Sequence, residues 1–273
     1  MIVAGVDGSP AGLVAVRWAA REAALREVSL RLVNAMPAWA CEPGPGPYAE
    51  VARWMRDGAD AALREAAEQA REEVPRAEVA LARLAGDPRP ALIEAAREAE
   101  LLVVGNHGIG GFRGLLVGSV ALGVAGRARC PVAVVRALPR QARPLVVAGV
   151  DGGGRDAETV RFAFAEAWLR RAELLVVRAS GGPPGPDDEQ EGEGPLVALR
   201  ESRERHPEVK VGAITREGHP VEVLSRESAR AEVLVVGSRG RGGFAGLVLG
   251  SVGHALLHHA PCPVIVLPRP SED

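Results

Sequence analysis

The sequence has 273 residues, a formal net charge of −2 and 47% hydrophobic residues. This hydrophobic content excludes an intrinsically disordered chain, and the length suffices for two domains that each bury a core. The weak net charge excludes a strongly basic surface, so we expect no nucleic-acid partner. Because no apolar run reaches the ~18 residues of a membrane span and no signal-peptide pattern opens the chain, we expect a cytoplasmic protein with no membrane partner.

Apolar segments alternate with amphipathic ones along the first half of the chain. The apolar segments predict strands at 2–6, 30–35, 79–84, 101–105 and 132–136. Strands that are apolar on both faces are typical of a parallel sheet covered by helices on both sides. The Ala-, Glu- and Arg-rich stretches 11–27 and 57–73 predict helices. The Pro- and Gly-rich segments 39–50 and 180–195, which follow the second strand of each half, are expected to be flexible loops.

The second half of the sequence repeats the first. Asp7 in GVDGSP and Asp151 in GVDGGG are 144 positions apart, and the later glycine-rich stretches also align. Such a long repeat indicates duplication of a whole domain. We expect domain 1 at 1–138, a linker at 139–144 and domain 2 at 145–273. Each is predicted to be an α/β, doubly wound, Rossmann-like domain with a five-stranded, mainly parallel sheet.

Both halves contain a glycine motif that follows an apolar strand. It consists of a glycine, two residues, a glycine, nine residues and a Gly-Ser pair, at Gly105, Gly108, Gly118 and Ser119 and again at Gly237, Gly240, Gly250 and Ser251. A Walker loop is excluded because the only lysine, Lys210, is far from both motifs, and the match to a dinucleotide fingerprint is weak. Glycines at a strand end permit close approach of a ligand, and a helix start suits phosphate. The alternative is that the glycines only form turns and the serines are only N-caps.

With this motif the sequence resembles the universal stress protein family in its tandem two-domain form, over essentially the whole chain. The pattern G-2x-G-9x-G-[S/T] is the ATP-binding pattern of that family, and both copies match it. The segments GVDGSP, CPVAVV and CPVIVL are also similar to the family's. The resemblance implies an adenine nucleotide alpha hydrolase-like fold. It also implies that the ligand is ATP, bound with or without Mg²⁺.

The resemblance assigns site residues in each copy. It implies that the acid after the first strand contacts the nucleoside, that Ala35 or Ala179 packs on adenine, and that the glycine motif holds ribose and phosphates. The implied ATP-binding residues are Gly5, Val6, Asp7, Ala35, Val104, Gly105, His107, Gly108, Gly118, Ser119 and Val120 in the first copy, and Gly149, Val150, Asp151, Ala179, Val236, Gly237, Arg239, Gly240, Gly250, Ser251 and Val252 in the second. For His107 and Arg239, a role at the phosphates and a role as solvated side chains are both open. The GGG that follows Asp151 suggests a looser first loop in the second copy.

These features favour a regulatory, ATP-binding stress-response protein with little or no turnover, and we expect no catalytic residue and no metal site. A slow ATPase or nucleotidyl transferase and a nucleotide-free scaffold are the alternatives, and ATP is not separated from other adenine nucleotides. The resemblance implies dimer contact through the last strands, so the two halves are expected to form an intramolecular pseudo-dimer; a homodimer of chains is also open. We expect Cys130 and Cys262 to be buried small residues, and His254 and His258 to be packing or surface residues.

Overall fold

A computed structural model of the chain describes residues 1–108, 117–139, 141–153, 156–180, 193–238 and 249–268. The chain divides into two compact units, Met1–Arg136 with Pro268, and Ala137–Leu267. Of the loop expected at 180–195, residues 181–192 lie outside the described residues; the prediction is wrong at its two ends, because residue 180 ends a strand and residues 193–195 begin a helix.

The first unit alternates strands and helices throughout. Its elements are β1 (Ile2–Gly5), α1 (Pro10–Leu25), β2 (Leu30–Met36), α2 (Ala38–Cys41), α3 (Ala49–Glu73), β3 (Val79–Ala85), α4 (Pro88–Ala95), β4 (Leu101–Gly105), α5 (Ser119–Ala125) and β5 (Val132–Val135). The strand order is β3-β2-β1-β4-β5, and every pairing is parallel. Helix α1 packs on α3 and α4 packs on α5, as the two helical layers of a doubly wound sheet do.

The second unit repeats this arrangement. Its elements are β6 (Leu145–Val150), α6 (Asp156–Arg170), β7 (Glu173–Ser180), α7 (Glu193–Arg205), β8 (Val211–Glu217), α8 (Pro220–Glu227), β9 (Val233–Gly237), α9 (Ser251–His259) and β10 (Val264–Leu267). The strand order is β8-β7-β6-β9-β10, again with parallel pairings. The prediction of a doubly wound fold with five parallel strands in each unit is therefore confirmed.

The last two strands of each unit are buried in its core. All four residues of β5 and of β10 are buried, and so are the first four of β4 and of β9. These are the runs of Val and Leu from which strands covered on both faces were predicted. The edge strands β3 and β8 are half-buried or exposed, because helices and neighbouring strands cover them less completely.

The prediction of a flexible loop at 39–50 is wrong at both ends. Helix α2 occupies Ala38–Cys41, and α3 starts at Ala49, eight residues before the predicted start. Met36, Ala40 and Ala52 are buried in one cluster, and Arg56 donates a hydrogen bond of 2.9 Å to the carbonyl of Ala40. Burial of these apolar side chains stabilises helical structure that the local sequence does not favour.

Candidate functional site

Both sheets reverse their strand order at the first strand of the unit. The chain runs outward from β1 through β2 to β3, then returns to β4 on the other side of β1, and the second unit does the same around β6. In open α/β sheets, a ligand binds outside the carboxyl ends of the strands at this reversal. Asp7 follows β1 here, and Gly105 ends β4. The fold thus brings the acid and the glycine motif, which are about a hundred residues apart in sequence, to one edge.

A backbone hydrogen bond joins the two ends of each glycine motif. In the first copy the N–H of Gly118 donates to the carbonyl of Asn106 at 2.6 Å. In the second copy the N–H of Gly250 donates to the carbonyl of Ser238 at 2.8 Å. The described ends of each motif therefore meet at the carboxyl edge of β4 and of β9. Residues 109–116 and 239–248, which include the predicted site residues Arg239 and Gly240, lie outside the described residues.

The Gly-Ser pair opens a helix in each copy. Gly118 and Gly250 are the N-cap residues, and Ser119 and Ser251 are the first residues of α5 and α9. The alternative that the serines are N-caps is therefore wrong. Because both N-cap residues are glycines, they have no side chain with which to cap the helix, and the exposed Ser119 and Ser251 lie in the first turn. The N–H groups of a helix's first turn have no partner within the helix, so these starts can receive an anion.

In the first copy, the acid and the glycine motif are in direct contact. The carboxylate of Asp7 lies against Gly108, where an added methyl group would overlap its Oδ2 atom. Its Oδ1 atom accepts a hydrogen bond of 3.0 Å from the N–H of Ser9. A methyl group at Gly105 would lie 3.0 Å from the backbone carbon and oxygen of Ala11. The missing side chains of Gly105 and Gly108 thus permit the close approach of β4, the Asp7 loop and the start of α1.

The glycine of each GVD segment packs on a buried leucine. A methyl group at Gly5 would lie 3.3 Å from Leu92 of α4 and 3.4 Å from Val104. In the second copy, a methyl group at Gly149 would lie 2.9 Å from Leu224 of α8 and 3.1 Å from Val236, which corresponds to Val104. The predicted residues Gly5 and Val104, and Gly149 and Val236, are therefore brought together in both copies.

The alanines predicted to contact adenine lie on the neighbouring strand. Ala35 and Ala179 are the last but one residues of β2 and β7, and β2 ends at Met36, one residue further than predicted. Both are half-buried. Beside Ala35, the amide nitrogen of Asn34 donates a hydrogen bond of 2.8 Å to the carbonyl of Val6, which ties the end of β2 to the residue before Asp7.

The remaining predicted residues lie around the same edge. His107 is exposed, and its carbonyl accepts a hydrogen bond of 3.5 Å from the hydroxyl of Ser9. Four other predicted residues and Gly237 are half-buried. Val120 and Val252 lie in the first turns of α5 and α9, Gly237 ends β9, Val150 ends β6 and Asp151 follows it. No described contact decides between the two roles considered for the His107 side chain.

Sequence reasoning missed the residues that close the first loop of each copy. In the first copy the hydroxyl of Ser9 caps α1 by accepting a hydrogen bond of 3.0 Å from the N–H of Gly12. In the second copy the carboxylate of Asp156 accepts hydrogen bonds from the N–H groups of Asp151, at 3.2 Å, and Gly152, at 2.6 Å. The loss of the serine therefore does not leave this loop open. The signal was present in the aligned repeats, in which Asp156 stands at the position of Gly12.

Burial perturbs several ionisable groups. The Asp156 side chain is buried, and desolvation raises its pKa to about 6, with the nearby Asp151 carboxylate acting in the same direction. Burial also raises the pKa of the Cys130 thiol to about 11 and that of the Cys262 thiol to about 12, which agrees with the prediction that both are buried small residues. Desolvation and the neighbouring His254 lower the pKa of His258.

Within the described residues, no group of three or more His, Cys, Asp or Glu side chains could hold a metal ion. In the same part of the chain, no helix is long and apolar enough to cross a membrane.

Comparison with known proteins finds relatives over nearly the whole chain. A sequence model described as "Universal stress protein family" matches residues 1–136 and 144–268. Universal stress protein Rv2005c of Mycobacterium tuberculosis is 36% identical over 282 residues, covering 97% of this chain and 96% of the relative. Universal stress protein Rv2623 of the same organism is 35% identical over 296 residues, covering 97% and 95%. The crystal structure of a universal stress protein from Archaeoglobus fulgidus is similar with a TM-score of 0.74, at 19% identity and 98% coverage of both chains.

Proposed function

The chain belongs to the universal stress protein family, and we propose that it binds ATP at the carboxyl edge of each of its two sheets. The observation that carries the proposal is the hydrogen bond between the two described ends of each glycine motif. In both copies it joins the residue after β4 or β9 to the glycine that opens the last helix, and that N-cap glycine has no side chain with which to cap the helix. A helix start that its N-cap residue leaves uncapped, held at the carboxyl edge of the sheet, supports phosphate binding at that place.

The chemical groups at this edge suit a nucleoside phosphate. Phosphate oxygens are acceptors, and the first-turn N–H groups of α5 and α9 and the hydroxyls of Ser119 and Ser251 are donors. Ribose hydroxyls can donate to a carboxylate, which Asp7 and Asp151 supply after the first strand of each unit. The apolar ends of β2 and β7, with Ala35 and Ala179, would border the base. Mg²⁺ would accompany the phosphates rather than occupy a protein-built site.

We further propose that the protein is a cytoplasmic regulator of the stress response with little or no turnover. Asp7 is the acid in contact with the described part of the first glycine motif. One of its oxygens accepts from the N–H of Ser9, and the other lies against Gly108. A carboxylate engaged in this way supports binding rather than general-base catalysis, which needs a base within reach of the attacking water.

The test is a count of bound nucleotide on the full chain. We would extract the purified protein under denaturing conditions, identify any released nucleotide by chromatography, and then titrate the nucleotide-free protein with ATP by calorimetry. About two ATP per chain are expected. Asp7→Asn and Asp151→Asn should each weaken one site, whereas Asp57→Asn, which changes an exposed carboxylate on α3, should weaken neither.

No ATP by either route would contradict the proposal and favour a nucleotide-free scaffold. Phosphate release that continues through many turnovers, and that Asp7→Asn or Asp151→Asn abolishes, would favour a slow ATPase instead.

A further inference from the structure

Two histidines lie about one helical turn apart on α9, in the second unit. His254 is exposed and His258 is half-buried. Side chains four positions apart lie on one face of a helix, and at this spacing two imidazoles can bind one metal ion. The sequence predicted only packing or surface roles for this pair, because the spacing alone does not show whether the two rings come together.

The structure brings the two rings to the separation that a shared metal ion requires. Their centroids are 4.8 Å apart, and the ring planes are inclined at 41°. A metal ion about 2.0–2.1 Å from one nitrogen of each ring lies about 3.2 Å from each centroid, so at a nitrogen–metal–nitrogen angle of about 90–110° the centroids are about 4.5–5.2 Å apart. The observed distance falls within this interval, so the rings are spaced for chelation.

The ring nitrogens of His258 also suit a metal ion. The Nε2 atom is shielded from solvent and has no hydrogen-bond partner among the described residues. A shielded polar atom without a partner is unfavourable, and a metal ion bound to this nitrogen would remove that penalty. Desolvation and the neighbouring His254 lower the pKa of His258, so the ring is neutral at pH 7.5 and keeps a lone pair for a metal. Because His254 is exposed, an ion can reach the pair from solvent.

The charges around the pair permit a cation. His258 lies in the last turn of α9, where the carbonyl end of the helix carries partial negative charge. Helix α8, which packs on α9, carries Glu222, Arg226 and Glu227. Arg216 of β8 pairs with Glu227 at 3.5 Å. These two acids and two bases sum to no net charge, so together they do not repel a cation.

The first copy has no equivalent pair. The alignment that places Gly118 on Gly250 places Leu122 and Gly126, 132 positions earlier, on His254 and His258. Neither a leucine nor a glycine has a side chain that can bind a metal ion. A site of this kind therefore belongs to the second copy, and one ion per chain is expected.

We propose that His254 and His258 bind a divalent transition-metal ion of the class that imidazole prefers, which comprises Cu²⁺, Ni²⁺ and Zn²⁺, with water completing the coordination. Mg²⁺ and Ca²⁺ prefer oxygen ligands and would not bind there. With two protein ligands, the affinity should be lower than that of a structural zinc site, which has four. The proposal is independent of nucleotide binding, since neither histidine belongs to the glycine motif.

The test is calorimetric titration of Ni²⁺ into the untagged full chain at pH 7.5, after treatment with EDTA and dialysis and without nucleotide. About one Ni²⁺ per chain is expected; Cu²⁺ should bind more tightly and Mg²⁺ should not bind. His254→Ala and His258→Ala should each weaken Ni²⁺ binding by about tenfold or more, since each removes one of two ligands. His219→Ala, which removes the exposed histidine before α8, is the matched control and should change the affinity by less than about twofold.

Electron paramagnetic resonance of the Cu²⁺-loaded chain reports the ligands directly. The unmodified chain should show coupling to two nitrogens and His254→Ala coupling to one; this variant changes an exposed side chain, so the fold should persist. Absence of Ni²⁺ binding, or Ni²⁺ binding that both single variants retain, would overturn the proposal. An equal loss in His259→Ala, whose ring lies 6.0 Å from that of His258, would overturn the assignment to this pair. Because no nucleotide is present, none of these results bears on the proposed ATP binding.

Discussion

Replacing Gly105 by alanine tests whether the close approach of β4 and α1 builds the first site. The added methyl carbon would lie 3.0 Å from the carbonyl carbon and oxygen of Ala11 and 3.1 Å from the nitrogen of Gly12. Non-bonded heavy atoms pack at roughly 3.5–4.0 Å, so three contacts would each be about 0.5 Å too short. All three partners are backbone atoms in the first turn of α1, which cannot rotate away as a side chain can. Overpacking of this kind costs about 1–3 kcal/mol.

The assay for Gly105→Ala is urea unfolding combined with calorimetric ATP titration. We expect the free energy of unfolding of the first domain to fall by about 2 kcal/mol, and its ATP affinity to fall roughly tenfold, because the start of α1 carries the Asp7 loop with it. Gly58→Ala is the matched control: it lies in α3 with open space around the added carbon, so it should stabilise the helix by about 0.5–1 kcal/mol. Unfolding and ATP binding indistinguishable from those of the unmodified chain would refute the steric reasoning.

Three further predictions concern stability and reactivity. The folded-state pKa of Asp156, about 6, is above that of the unfolded chain, so the native state binds more protons between about pH 4 and 6, and stability falls as pH rises through that range. Urea unfolding at pH 4.5 and 7.5 measures how much the free energy of unfolding decreases over this range. The decrease should be about 1–2 kcal/mol smaller in Asp156→Asn than in the unmodified chain, and equal decreases would contradict the prediction. Because Cys130 and Cys262 are buried and their pKa values are raised, iodoacetamide at pH 8 should leave both thiols of the native protein unmodified. The partly exposed Cys41 should react, and peptide mass spectrometry would show which cysteines are modified. Glu166→Ala removes one of two carboxylates paired with the buried Arg170, leaving Glu232 at 3.7 Å, and should lower the free energy of unfolding by about 2 kcal/mol. Glu94→Ala, which breaks an exposed pair, should change it by less than about 0.5 kcal/mol; similar losses would refute this contrast.

The order of strands and helices could be predicted from the sequence because burial leaves a local signature. Runs such as 101–105 are apolar at every position, which only a strand covered on both faces requires. Helix α3 was predicted too short because its first turns carry no such local signature. Its first turns lie in a polar, Pro-rich segment, and they are stabilised by the packing of Ala52 against Met36 and Ala40, which are distant from it in the predicted pattern.

Part of the candidate site could likewise be predicted from the sequence, and part depends on the tertiary structure. The sequence by itself determined the duplicated domain, the spacing of the glycine motif and the acid after each first strand, because these are properties of residue type and order. Only the tertiary structure decided that Gly118 binds back to Asn106 and that the Asp7 carboxylate rests on Gly108. It also decided that the Asp156 carboxylate accepts hydrogen bonds from the N–H groups of Asp151 and Gly152. In the first copy the equivalent residue, Gly12, has no side chain to do this. These contacts depend on distances between segments far apart in the chain, and the reversal of strand order at β1 and β6 is what brings those segments together.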